Sequence, residues 1–341
     1  MRWPLHLTLP ALLALLVASA LLSLVQGAIN LPASDGLLSI LDALFGSQLS
    51  QLEHYQQVIV MELRLPRMLM AILVGAILAQ CGAVMQGLFR NPLADPGIIG
   101  VSSGAALGAI IAIVWLADSF GDWSIPVSAF AAGLATTLLI YGLAQSKNGT
   151  SVLILLLAGI AISAFAGSAI GFISYFTDDQ KLRALSLWQM GSLTGATENN
   201  LYFALATLIV LAVMFQRQAN ALNALLLGES EARHLGIAVE KMKLQLIILT
   251  AVGVGVAVSC AGIIGFVGLV VPHFVRLTTG PNHRTLLPLS ALCGAVLMLI
   301  ADLLARTMVQ PTELPVGLVT ALLGAPFFLA LLVQQRKHGS L

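Results

Sequence analysis

Charged residues are scarce in this chain: Asp, Glu, Lys and Arg make up 9% of its 341 residues, where an ordinary soluble domain carries about 25%. So few polar groups cannot cover a water-soluble globule of this size, which sets aside the soluble enzyme classes. Basic and acidic residues nearly balance, 16 against 15, and nucleic acid is not expected as a partner. The three cysteines, Cys81, Cys260 and Cys293, lie far apart in apolar runs without a CxxC pattern, so they read as small apolar side chains rather than metal ligands or a disulfide. A phosphate-cradling GxxxxGK(S/T) loop is missing too, so any ATP, with its Mg, is bound and hydrolysed by another chain. No catalytic set replaces it. Ser102-Ser103-Gly104 has no recognisable His partner on a helix, and His273 reads as a structural hydrogen-bonding residue rather than a base or haem ligand.

What is abundant is apolar: 58% of residues are hydrophobic, and the 31 glycines outnumber all the aromatics. A span needs about 20 apolar residues, leaving room for about ten membrane helices in one all-α polytopic domain, 1–341. The expected spans are Leu5–Ala28, Arg64–Phe89, Ile98–Ala117, Ile125–Ala144, Val152–Phe176, Asn200–Phe215, Leu244–Ala261, Ile263–Leu277, Leu286–Leu304 and Val316–Val333. Between the first two lies a mixed acidic segment, Asn30–Glu62, with a short surface helix. Small residues recur every four positions at Ala71, Gly75, Ala79, Ala83 and Gly87, at Gly100, Gly104 and Gly108, and at Gly159, Ser163, Gly167 and Gly171, giving flat stripes for close helix contact. The eighth span is short, crowded with Gly262, Gly265 and Gly268 and interrupted by Pro272, a pattern tolerated at membrane depth only when protein or water surrounds it. The halves echo one another around Asn91-Pro92…Pro96-Gly97 and Gly280-Pro281, which hints at an inverted repeat.

Lys/Arg placement orients the chain. With both termini cytoplasmic, Arg2, Arg90, Lys147, Arg217, Arg233, Lys241, Lys243, Arg276, Arg284, Arg336 and Lys337 face inward, against Arg64, Arg67, Lys181, Arg183 and Arg306 outside. The acids follow the opposite trend, and an odd number of spans would scramble both. Inside falls the polar interruption Gln216–Lys243, between the two hydrophobic halves. It reads as two short amphipathic turns. Leu225, Leu226, Leu227, Ala232, Leu235 and Ile237 are expected on one apolar face, with Glu229, Glu231, Arg233 and His234 opposite, and Gly228 and Gly236 end the turns. Such a segment either rests on lipid or fits a protein groove; its mixed charge suits the groove better.

Five stretches resemble a known family in the right order: RLPRMLMAILVGAILAQCGAVMQGLFRNPLADPGIIGVSSGAALG (Arg64 to Gly108), LWQMGSLTG (187–195), LGESEARHLGI (227–237), GIIGFVGLVVPHFVRL (262–277) and ELPVGLVTALLGAPFF (313–328). The chain is similar to the permease subunits of type II ABC importers, which take up ferric siderophores, haem and cobalamin across the bacterial inner membrane. The resemblance implies a homodimer around a central path, two ATPase subunits and a periplasmic binding protein. It matches Arg64, Arg67 and Arg306 to positions that receive acidic side chains of the binding protein; from the residues alone, headgroup anchors are the lesser alternative. It matches Asn91 and Leu93 to a cytoplasmic constriction and Thr177 and Asp178 to a periplasmic one. Leu227, Gly228, Glu229, Ala232, Leu235 and Gly236 match the segment that inserts into the ATPase. Haem is the first expectation for the cargo, a ferric siderophore the second and cobalamin the third. An ion-coupled secondary transporter is the competing class; it would need ionisable groups at mid-membrane, and only residues near span ends, Asp302 and Arg276, are candidates.

Overall fold

The computed structural model describes residues 4–27, 32–47, 49–121, 123–146 and 149–337; Arg2, Ala28, Asn30 and Lys147, used above for spans and charge, lie outside the described residues. The helices in order are α1 (Leu5–Val25), α2 (Ala33–Phe45), α3 (His54–Val58), α4 (Leu65–Leu88), α5 (Val101–Ile111), α6 (Ala117–Phe120), α7 (Ser124–Ala144), α8 (Val152–Tyr175), α9 (Asp179–Gln189), α10 (Glu198–Leu225), α11 (Glu229–His234), α12 (Val239–Ala261), α13 (Val267–Thr279), α14 (His283–Thr307) and α15 (Val316–Lys337). Two short strands, β1 (Gln145–Ser146) and β2 (Gly149–Thr150), pair antiparallel between α7 and α8. Among the described residues, eight stretches are long and apolar enough to cross a membrane, and Val267–Thr279 and Val316–Ala330 are apolar but shorter. Each expected span thus has a helical counterpart, and the fold is an all-α polytopic membrane domain.

The most enclosed stretch is the one that ends in α4: 89% of its most apolar window is buried, against 17% for α8 and for α10. Its small residues explain why. The Cα of Gly75 lies against the Gly294 carbonyl of α14, and that of Gly82 against the Gly268 carbonyl of α13, so a Cβ at either position would strike backbone. Without water to drive helices together in lipid, this close backbone approach and the dispersion it gains hold the bundle. α4 therefore runs through the middle, flanked by α14, α10, α13 and α12.

Several boundaries differ from the sequence expectation, each for a physical reason. Helix begins at His54 rather than Arg64 and passes into α4 through a π-turn at Ile59–Arg64. That widened turn precedes Pro66, whose ring would otherwise meet the carbonyl four residues back. Pro272 does not interrupt its helix. It leaves the Gly268 carbonyl without its helical donor, and Gln86 Nε2 of α4 supplies one, donating to Gly268 O at 3.4 Å and Leu269 O at 3.0 Å. The break falls at residues 262–266, between α12 and α13, where Gly262 and Phe266 have φ of 68° and 67°. Among the described residues the stripe on α8 is used only at its start: Gly159 meets the Ile98 carbonyl and Ser163 pairs with Ser103 Oγ at 3.1 Å, whereas none of them lies within 4 Å of a Cβ at Gly167 or Gly171.

Candidate functional site

The antiparallel packing of α4 on α14, with Gly75 against Gly294 and Gly87 against His283, gives the bundle two distinct ends. Arg64, Arg67 and Arg306 share one of them. They surround a cavity of about 330 Å³ with Gly27, Ile59, Leu63, Thr194 and Glu313. Arg64 Nη1 donates to the carbonyls of Leu24 and Val25, both at 2.7 Å. Arg306 Nη2 donates to Ser23 Oγ at 2.8 Å and Ser23 O at 3.2 Å, and its Nη1 to Gln26 O at 3.2 Å. These carbonyls are the last of α1, where an unsatisfied helix end carries partial negative charge, so two guanidinium groups cap it. Asp302, fully buried, accepts from Arg67 Nε at 2.8 Å and lies 3.1 Å from Arg306 Nε. Arg67 Nη1 reaches Glu313, 43% exposed, at 2.7 Å. Sequence reading found the three arginines and missed these partners. The headgroup-anchor alternative does not describe Arg64 and Arg306, which are buried in protein.

At the other end the interruption 216–243 takes a different form from two short turns. α10 continues through Gln216 to Leu225, and only α11, Glu229–His234, is a separate short helix. The extension of α10 is latched to the start of α14: Asn223 Oδ1 accepts from His283 N at 2.8 Å, and Arg284 Nε donates to Asn220 Oδ1 at 2.7 Å. Gly228 and Gly236 turn the chain with φ of 127° and 81°, values that favour glycine. The single apolar face expected here does not exist. Leu225 and Ala232 point into the core, while Leu226, Leu227 and Leu235 are exposed, because α11 is too short to present a continuous stripe. Glu229 pairs with Lys243 at 2.7 Å, and Lys243 also meets Glu240 at 3.3 Å.

The remaining candidates lie in loops at the ends of helices. Asn91 is exposed in a loop beside the α11 turn, since a Cβ on Gly228 would lie 4.0 Å from Arg90 Nη1. Asn91 Oδ1 accepts from Leu93 N at 2.9 Å and Asp95 Oδ1 from Gly97 N at 2.7 Å, two local turns that stiffen the loop. Burial pushes the Asp95 carboxyl above the usual carboxylate range, and the Gly97 N–H pulls it back. Thr177 and Asp178 close the far end of α8: Thr177 Oγ1 donates to Ile173 O at 2.7 Å, and Asp178 caps α9 by accepting from Lys181 N at 2.9 Å. His273 is buried and its Nδ1 has no hydrogen-bond partner among the described residues, so the expected hydrogen bond is not seen at that nitrogen. Arg276 instead donates to Gln86 Oε1 at 2.9 Å.

Comparison with known proteins agrees with this architecture. The FecCD transport family matches residues 15–334. The hemin transport system permease protein HmuU of Yersinia pestis is 49% identical over 82% of this chain and 84% of its own length. The cobalamin import system permease protein BtuC of Halobacterium salinarum is 44% identical over 81% and 73%. A solved inward-facing structure described as a metal-chelate type ABC transporter superposes with a TM-score of 0.83 at 34% identity, covering 95% of this chain and 98% of that one. On this evidence the chain belongs to the FecCD transport family and is a multi-pass permease subunit of an ABC importer in the bacterial inner membrane.

Proposed function

We propose that the chain, as a homodimer with two ATPase subunits and a periplasmic binding protein, imports haem into the cytoplasm. The observation that carries the cargo is the 49% identity to a hemin permease, above the 44% and 42% to the cobalamin permeases of Halobacterium salinarum and Vibrio cholerae. Those cobalamin relatives keep cobalamin as the second reading, with a ferric siderophore behind it. The Lys/Arg distribution supports the cytoplasmic placement of both termini and of α11. In that orientation the cavity ringed by Arg64, Arg67 and Arg306 faces the periplasm and takes acidic side chains of the binding protein; with these guanidinium groups largely buried and already held within the chain, such contacts set register and encounter rate more than affinity. Exposed Leu227 and Leu235, beside Gly228, Glu229, Ala232 and Gly236, form the ATPase contact, and the uncovered Gly167 and Gly171 on α8 favour a second copy there. Asn91 and Leu93 narrow the cytoplasmic mouth, Thr177 and Asp178 the periplasmic one. ATP-driven closure of the ATPase pair then tilts the helices between these two states.

The test is uptake into vesicles holding the assembled importer and its cognate binding protein. Radiolabelled haemin, supplied at limiting concentration, is expected to accumulate with ATP, and excess cobalamin to leave that uptake unchanged. Accumulation of cobalamin instead would transfer the assignment to the second reading.

A further inference from the structure

The ion pairs behind α11 link more than α11 itself. Lys243, in the second turn of α12, has a side chain only 3% exposed. Its ammonium meets Glu229 of α11 at 2.7 Å, Glu240 at 3.3 Å and the carbonyl of Thr150 at 3.4 Å. Glu240 extends the connection: its Oε2 accepts from the Thr150 N–H at 2.9 Å and from Thr150 Oγ1 at 2.8 Å. Thr150 ends β2 and is followed by Ser151, whose side chain caps the N-terminus of α8. Two neighbouring segments, α11 and the start of α12, and the hairpin before α8, some ninety residues earlier in the chain, thus end on one ammonium. Arg233, 3.6 Å from both carboxylates and 53% exposed, balances the second negative charge.

A buried ion pair is weak evidence for stability, because desolvation offsets its attraction; its best-attested use is to hold elements in register. An ammonium with three donors is suited to that when the elements are otherwise separate. α11 touches the core through fully buried Ala232, and α8 packs on α5 and α7, so the ammonium is a direct tie between two elements that make few other contacts with each other. We infer that Lys243 is a positioning residue that transmits displacement of α11 to the hairpin and the N-terminal end of α8. The inference rests on the reading of α11 as the ATPase contact.

Lys243→Met tests it. The unbranched stem is kept, and Glu229 and Glu240, 30% and 40% exposed, remain hydrated, so the fold is retained. Nitroxide labels at Ser230→Cys on α11 and Gln145→Cys on the hairpin, with the native cysteines replaced, are followed in the full complex with its ATPase subunits before and after trapping with ATP and vanadate. Both labels are expected to change in the parent. With Lys243→Met the Ser230 label still changes, the Gln145 label does not, and the ATP consumed per molecule transported rises about tenfold. Glu229→Gln, which leaves the ammonium paired with Glu240, should weaken the hairpin response in the same direction and serves if the methionine variant does not assemble. An unaltered Gln145 response in either variant overturns the inference. Failure of the ATPase subunits to co-purify with the parent is a separate result, which would remove the docking reading and this inference with it.

Discussion

Two charge clusters, one at each end of the bundle, use the same chemistry for different ends. Around Arg64, Arg67, Arg306 and Asp302 the charges are enclosed and their partners belong to helices already locked together, α1, α4 and α14. Around Lys243 the cation is equally enclosed, but its carboxylates are part exposed, Glu229 on the short α11 and Glu240 at the start of the well-packed α12. The first cluster fixes an end of the fold; the second ties the short α11 and the hairpin before α8 to the start of α12. What separates them is Asp302, a fully buried carboxylate with no counterpart around Lys243, since both clusters also hold part-exposed acids, Glu313 in the first and Glu229 and Glu240 in the second.

The largest expected effect comes from breaking the enclosed cluster. Asp302→Ala removes the fully buried carboxylate shared by Arg67 and Arg306, leaving the first with Glu313 and the second with the α1 carbonyls, and should cost about 3 kcal/mol, read as loss of folded protein or a large fall in thermal unfolding temperature in detergent. Glu229→Ala leaves Lys243 with Glu240 and water, and a change below about 1 kcal/mol is expected. Equal losses would erase the distinction between the clusters. Next come two glycines. Gly82→Ala puts a Cβ into the Gly268 backbone and should destabilise the whole bundle by about 1–3 kcal/mol. Gly228→Ala has room but forces a φ of 127° on an L residue, a strain of about 1–3 kcal/mol confined to the turn before α11, so a modest fall in unfolding temperature is expected together with a loss of ATPase co-purification. Leu227→Ser and Leu235→Ser, both at exposed positions, should stay within about 0.5 kcal/mol of the parent and still reduce ATPase binding in a pull-down. The smallest effect concerns Asp95. Its folded carboxyl titrates above its unfolded value, so the folded state holds the extra proton and stability falls as pH rises through that window. Asp95→Asn keeps an acceptor for the Gly97 N–H and should flatten that slope, measured by unfolding at a series of pH values.

Hydropathy and glycine spacing made the spans legible, because lipid demands long apolar helices and small contact faces. The convergence of Arg64, Arg67 and Arg306 was legible as well, through their shared side of the membrane. Their burial was not: the α1 carbonyls that hold them are backbone groups and leave no mark in side-chain pattern. Pro272 misled for a related reason, since the donor that rescues Gly268 comes from Gln86 on another helix. In the interruption 216–243, polarity read as non-helical turns, yet Gln216–Leu225 is helix, its Asn220 and Asn223 spent on Arg284 and His283. The link from Glu229 to Lys243 spans a loop and has no helical period to reveal it; only the three-residue spacing of Glu240 and Lys243 was visible.

The most direct measurement is haemin uptake by vesicles containing this permease, with and without its ATPase subunits and binding protein. The account predicts uptake that requires ATP and all components and is abolished when Gly228 and Glu229 are replaced by bulky or oppositely charged residues in a protein that still folds. Uptake by the chain alone, driven by a proton or sodium gradient and indifferent to ATP, would contradict it.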